Sequence, residues 1–484
     1  MAGGSLAAVA TGRWRQDPSR PVLLDIDDRW LSAGELEERS RVVAGRLAAA
    51  GLRAGDRLIL CAPTSAALVC AYVAALRAGL IVAPVNPGYT RDEVERIVRA
   101  TGPAAALVEG GERARWVSAA APGGAVVAGL DLAGLPVAGA ATPELDAAQP
   151  ADPALLLYTS GTTGTPKGAL LSHGNLLSSA RAVALAWRWT PDDRLLLTLP
   201  LFHMHGLGVG VNGSLLAGGQ LVLRPGFDAA DVAERCRGGA VSMFFGVPAM
   251  YQRLLAGGEA AALSGLRLIV SGSAPLSESQ SDAVAAAAGQ RPLERYGMTE
   301  TVMLTSNPID GLRKPGHVGL PLPGVNLRLA AGNEVEVSGP NVLAGYDRGG
   351  SDPAAAEAAD AEAFTADGWF RTGDLGEMDA DGYLRLVGRS KELIITGGFN
   401  VHPREVEEAI SRFPGVREAA VVGRPSERWG EAVTAVVVAD RPLDPVELRE
   451  FAAQRLASYK VPKTFEFVQE LPRNALGKIL RHQL

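Results

Sequence analysis

Residues Tyr158 to Gly168 read YTSGTTGTPKG, a stretch with five Ser or Thr hydroxyls, three glycines and one lysine. The apolar run Ala154–Leu157 precedes it and reads as a short buried strand, so the loop begins where a strand ends. Glycine tolerates backbone angles that other residues avoid, which lets a chain curl close to a ligand. Successive N–H groups in such a curl form an anion-binding nest, and the hydroxyls add donors. Lys167 supplies a point charge suited to phosphate. A Walker A loop needs Gly before its Lys and Ser or Thr after it. Here Pro166 precedes Lys167 and Gly168 follows it, so this is a different phosphate loop.

The surrounding chain is long enough for more than one core at 484 residues. With 47 basic and 53 acidic residues its net charge is −6, which argues against nucleic acid or an anionic membrane as the main partner. Cys61, Cys70 and Cys236 lack metal-ligand spacing and read as reduced core thiols. No basic segment followed by an apolar core opens the chain, so a cytoplasmic, soluble protein is expected. Leu195–Leu223 carries no formal charge, but Pro200, His203, His205, Asn212 and several glycines mark a buried active-site segment rather than a membrane span.

Ser32 with Glu35, and Thr90 with Glu93, have capping-box spacing ahead of helical patterns. Strands are expected at Arg57–Cys61, Leu80–Val85 and Ala104–Val108, with a helix at Ser65–Arg77 between the first two. That alternation predicts α/β architecture: doubly wound parallel sheets with helices on both faces. Residues Ala119–Pro150 read as a weakly specified connection. In LPLFHMHG, Leu199–Gly206, a strand would put His203 and His205 on one side, yet no Cys, His or Asp cluster nearby completes a metal site. Further along stand ERYGMTET at Glu294–Thr301, GWFRTGDLG at Gly368–Gly376, GRSKELIITGG from Gly388, and LPRNALGKIL ending at Leu480. The first of these groups an aromatic, hydroxyls and a carboxylate, which suits a nucleotide and Mg²⁺ held by one or two carboxylates.

These motifs, over essentially the whole chain, resemble the adenylate-forming superfamily of acyl-CoA synthetases, peptide-synthetase adenylation domains and luciferases. The resemblance implies ATP, Mg²⁺ and coenzyme A as co-substrates, and a small carboxylic acid as the partner. It assigns ATP contacts to Thr159, Ser160, Gly161, Thr162, Thr163, Gly164 and Lys167. Glu294, Arg295, Tyr296, Gly297, Met298 and Thr299 would meet adenine and the α-phosphate, Glu300 the Mg²⁺, and Asp374 and Arg389 the ribose. Lys478 would be the catalytic lysine, with Thr159, Glu300 and His203 beside it in catalysis. Lys391 falls at the hinge position, and Gly397 and Gly398 at the thiol tunnel. The implied division is an N-terminal adenylation domain over 1–388, a hinge at 389–391 and a small mobile α+β domain over 392–484. A shortened turn near Ala330–Val337 departs from the family at a peripheral hairpin.

Within the superfamily, Glu294–Val325 and FHMHG look most like malonyl-CoA synthetases. The implied substrate is malonate or methylmalonate, in a pocket formed by His205, Arg253, Ser273 and Met298, with Arg253 meeting the second carboxylate. A short- or medium-chain monocarboxylate ligase and a stand-alone domain loading a carrier protein remain alternatives.

Overall fold

The computed structural model describes residues 4–136, 144–159, 167–349, 353–474 and 477–484. Strands Arg57–Cys61, Ile81–Pro84 and Ala105–Val108 run parallel, with helices Ala66–Arg77 and Arg91–Thr101 between them. Both capping boxes form at Ser32 and Thr90, supplying partners to amides that a helix start leaves open. The connection expected to be weakly specified contains an edge strand, Val126–Ala128, parallel to Ala105–Leu107. Three residues are too few for a periodic signal, and pairing alone makes them a strand. The six-stranded sheet ends in the antiparallel strands Pro153–Thr159 and Lys167–Ser172, which residues 160–166 join.

A nine-stranded sheet holds the parallel strands Arg194–Leu197, Gln220–Leu223, Met243–Gly246, Leu268–Ser271 and Leu293–Tyr296. Neighbouring side chains on a strand face opposite ways. Leu58, Leu60, Leu155 and Leu157 of the first sheet share one core with Leu195, Leu197, Phe245 and Val270 of the second. Their neighbours Ile59, Cys61 and Leu156, and Leu196, Phe244 and Ile269, enter two outer cores. Burial on both faces is why these strands read as unbroken apolar runs. The three cysteines are all buried and free, and burial pushes their thiols up to about 11 at Cys61 and about 12 at Cys70 and Cys236.

The segment after Leu197 corrects the strand expected around FHMHG. Turns through Leu201–Met204 lead into a π-helix, His205–Val211, which continues as Asn212–Ala217. His203 and His205 therefore share no strand face. The alternate glycines explain the choice. A Cβ on Gly206 would strike the Pro200 carbonyl, one on Gly208 the Met204 methyl, and one on Gly210 would lie 2.8 Å from a Leu197 methyl. Among the described residues no helix is long and apolar enough to cross a membrane.

Strands Asn326–Leu329, Glu334–Ser338, Phe370–Met378 and Leu384–Arg389 form an antiparallel sheet. After Arg389 the turn Ser390–Glu392 leads to Ile394–Thr396, the first strand of a separate five-stranded sheet. Helices Pro403–Ile410 and Pro445–Ala453 accompany that sheet around its own core of Val406, Val421, Val433 and Leu448. The architecture is a large domain built on doubly wound sheets followed by a small α+β unit.

Candidate active site

One part of the candidate site forms where the nine-stranded and four-stranded sheets meet. Strand Leu293–Tyr296 ends at Tyr296, whose hydroxyl donates to Asp374 Oδ2 at 2.5 Å. Arg389 Nε donates to Asp374 Oδ1 at 2.8 Å, because Asp374 and Arg389 face each other across the pair Phe370–Met378 and Leu384–Arg389. A carboxylate has about four lone-pair sites, so Asp374 retains capacity for two ribose hydroxyls. Gly297 lies so close to the Val302 carbonyl that a Cβ would strike it. Val302 itself has φ +58°, an outlier for a β-branched residue, and the turn between them presents Met298, Thr299 and Glu300. Met298 packs on the main core, and Glu300 is buried.

Glu300 Oε1 accepts a hydrogen bond from the Tyr346 hydroxyl at 3.2 Å. Burial raises the Glu300 pKa, while hydrogen bonds from its own backbone and from Tyr346 oppose that rise. One carboxylate at a phosphate site fits a Mg²⁺ that draws its other ligands from phosphate oxygens and water. Among the described residues no group of three or more His, Cys, Asp and Glu could hold a metal by itself. Glu294, read from the sequence as a nucleotide contact, is buried. Its carboxyl accepts from Gly316 N at 3.3 Å, and burial pushes it up to about 8, with Arg404 opposing.

The π-helix and the loop after Leu268–Ser271 meet at His205 and Ser273. His205 Nδ1 and Ser273 Oγ are 3.1 Å apart. Ser273 has φ +68°, a strained setting for a residue with a Cβ. Burial lowers both imidazoles, His203 to about 4 and His205 well below its ordinary value, with Arg295 adding to the latter. Both are neutral near pH 7.

Arg295 lies directly under Gly272, where a Cβ would collide with its guanidinium. It is buried, and among the described residues its Nε and Nη2 find no hydrogen-bond partner. Burial lowers it only to about 10, so it stays a cation. Arg253 does not meet the expectation of a desolvated cation. It is exposed on helix Pro248–Ala256, with its guanidinium 4.9 Å from the Phe227 ring centroid. The alternation of strand Leu293–Tyr296 could have separated Arg295 from Glu294 and Tyr296, since adjacent residues point to opposite faces.

The C-terminal unit reaches into the same site. Gly477 packs 3.4 Å, through a hypothetical Cβ, from Ala249 on helix Pro248–Ala256. The next residue, Lys478, donates its backbone N–H to Asn474 Oδ1 at 3.0 Å. Its pKa is lowered by burial and then by Arg389, with Glu392 and Asp374 pulling it back, so the ammonium shares the field of Asp374 and Arg389. Arg385 Nη2 to Glu408 at 2.6 Å, and Arg412 to Glu278 at 3.1 Å, join the two units. Gly397 and Gly398 are exposed in the turn after Thr396 at φ +57° and +82°. Lys391 is exposed and pairs with Glu362 at 2.9 Å, and Lys167 with the same Glu362 at 3.3 Å. Of the remaining phosphate-loop residues, Ser160, Gly161, Thr162, Thr163 and Gly164 lie outside the described residues. For Thr159 only the backbone is described, and it pairs with Lys167.

Residues 11–347 match the family described as AMP-binding enzyme, and residues 405–478 match the AMP-binding enzyme C-terminal domain. The chain belongs to the AMP-binding enzyme family. It is 37% identical over 486 residues to a feruloyl-CoA synthase from Amycolatopsis sp, covering 94% of this chain and 93% of that one. It is 36% identical to a sulfoacetate–CoA ligase from Cupriavidus necator, covering 99% and 97%. The crystal structure of ATP-bound MatB from Rhodopseudomonas palustris superposes with a TM-score of 0.90 at 38% identity, covering 99% and 98%. As an AMP-binding enzyme, this chain is an ATP-dependent acid–CoA ligase that works through an acyl-adenylate. It uses ATP with Mg²⁺, and CoA as co-substrate.

Proposed function

We propose that the acid is short and carries a second anionic group, with malonate or methylmalonate as the first choices. The observation that carries this reading is Arg295. A cation stripped of water and left without a partner is strongly disfavoured, and removing one member of a buried pair costs about 3–5 kcal/mol. An anionic substrate group would supply the missing member. His205 and Ser273 add neutral hydrogen-bonding groups beside it, which can orient the anion without competing for charge. The sulfoacetate ligase among the relatives acts on a short acid of this type, whereas the feruloyl enzyme shows that the family's acyl pocket varies.

In this reading the reacting carboxylate lies toward Lys478. Two anions must meet there, and the lysine bridges the carboxylate and the α-phosphate as charge develops. Glu300 would hold a Mg²⁺, which would supply charge neutralisation for the leaving pyrophosphate. Asp374 and Arg389 fix the ribose, and Lys167 meets the outer phosphates. CoA attack follows rotation of the C-terminal unit about 389–391, which withdraws Lys478 and brings Gly397 and Gly398 toward the thiol.

The deciding experiment measures pyrophosphate release and CoA-thioester formation across malonate, methylmalonate, sulfoacetate, propionate and butyrate. The dianions should exceed the monocarboxylates by about 10²-fold or more in kcat/KM, the scale of one buried pair. Equal or better turnover of propionate and butyrate would return the reading to a monocarboxylate ligase.

The hinge has its own test. Proline fixes φ and removes an N–H, and hinge residues absorb backbone change away from the chemistry. Lys391→Pro should therefore leave acyl-adenylate formation near wild type and block thioester formation. Normal acyl-CoA production by this variant would place the hinge elsewhere.

A further inference from the structure

Glu362 joins two parts of the molecule that the reaction uses at different times. It lies near the end of helix Pro353–Ala363, with Oε1 2.9 Å from Lys391 Nζ and Oε2 3.3 Å from Lys167 Nζ. Hydrogen bonds from Lys391 first, and then Lys167, hold its carboxyl below the usual range. Lys167 Nζ is also 5.7 Å from the Tyr346 ring centroid, and the Tyr346 hydroxyl bonds Glu300. A continuous path of contacts thus runs from the hinge lysine through Glu362 and the phosphate lysine to the Mg²⁺ carboxylate.

We propose that Glu362 is a positioning residue that reports occupancy of the phosphate site to the hinge. In this arrangement one carboxylate, Glu362, serves two ammonium groups at once. A triphosphate offers Lys167 a stronger anionic partner, which leaves the whole Glu362 charge to Lys391 and steadies the hinge in the arrangement that forms the adenylate. Departure of pyrophosphate returns Lys167 to Glu362, weakens the hold on Lys391 and frees the C-terminal unit to rotate. The proposal rests on Lys391 marking the hinge.

The test is nucleotide-dependent trypsin cutting of the full chain after Lys391, which is exposed and outside the pair of Asp374 and Arg389. Saturating α,β-methylene-ATP with Mg²⁺, its saturation checked by calorimetry in each protein, should slow cutting of the wild type there. In Glu362→Gln that slowing should shrink by about two- to five-fold, the scale of one exposed ion pair. Glu357→Gln, exposed on the same helix, should behave as wild type, and Glu362→Asp should recover part of the protection. Equal protection in wild type and Glu362→Gln would overturn the role of Glu362. Protection that maps to another segment in both proteins would overturn the hinge assignment and the proposal with it.

Discussion

Lys478→Ala is expected to slow acyl-adenylate formation by about 10²–10³-fold, the loss that follows removal of one preorganised donor to a developing charge. The lysine sits where that loss should be felt. Gly477 packs on Ala249 of helix Pro248–Ala256, and the Lys478 ammonium shares the field of Asp374 and Arg389. Thioester formation from supplied acyl-adenylate should change far less, because in the proposed rotation the C-terminal unit would by then have turned the lysine away. Burial and Arg389 lower the Lys478 pKa from its ordinary value, yet the ammonium form is the one that bridges two anions. Measuring pyrophosphate exchange and adenylate-to-thioester conversion separately resolves the two steps. Comparable losses in both would refute the role.

Arg295→Met should lose about 10²- to 10³-fold in kcat/KM for malonate or methylmalonate, from about 3–5 kcal/mol at 1.4 kcal/mol per decade. Propionate should lose little and can gain, since it leaves no anion unpaired. Stability supplies an independent readout. Among the described residues the Arg295 guanidinium has Nε and Nη2 without partners in a buried setting, and replacing buried charge with an apolar group of similar volume is often neutral or stabilising. The variant's thermal midpoint should therefore be at or above that of wild type, so an activity loss cannot be ascribed to unfolding. Arg253→Ala gives the contrast: an exposed cation over Phe227 should be worth less than about 1 kcal/mol, and every acid should respond alike. Parallel losses on malonate and propionate in Arg295→Met would remove the dicarboxylate reading. A malonate-specific loss in Arg253→Ala would transfer the role to that residue.

Much of the architecture was legible because the signals were local. Apolar runs bounded by capping boxes marked the parallel strands and helices from Arg57 to Val108, and the boxes at Ser32 and Thr90 formed as their spacing implied. What stayed hidden depended on packing between distant segments. Glycines at 206, 208 and 210 have a period of two, which resembles strand alternation, but tight contacts to Pro200, Met204 and Leu197 impose it on a π-helix. The motif around Glu294–Thr301 joins residues facing different ways: Tyr296 bonds Asp374, Glu294 meets Gly316, and Arg295 turns beneath Gly272. A motif read as one contact surface cannot show that division. Glu362 had no signal at all, being an ordinary charge on an Ala-rich helix until the fold sets it between two lysines.

The burial of Cys61, Cys70 and Cys236 has a practical consequence for following domain rotation. Thiol reagents attack thiolate, and with pKa values raised to about 11 and about 12 roughly one thiol in 10⁴ or fewer is ionised at pH 7. The native chain should therefore take up maleimide dyes very slowly under mild conditions. Glu357→Cys, exposed beside the phosphate lysine's partner, and Glu447→Cys, exposed on the C-terminal helix Pro445–Ala453, would then carry a donor and an acceptor with little background. Mixing such a labelled protein with ATP, acid and CoA would time the swing of the C-terminal unit directly, turnover by turnover.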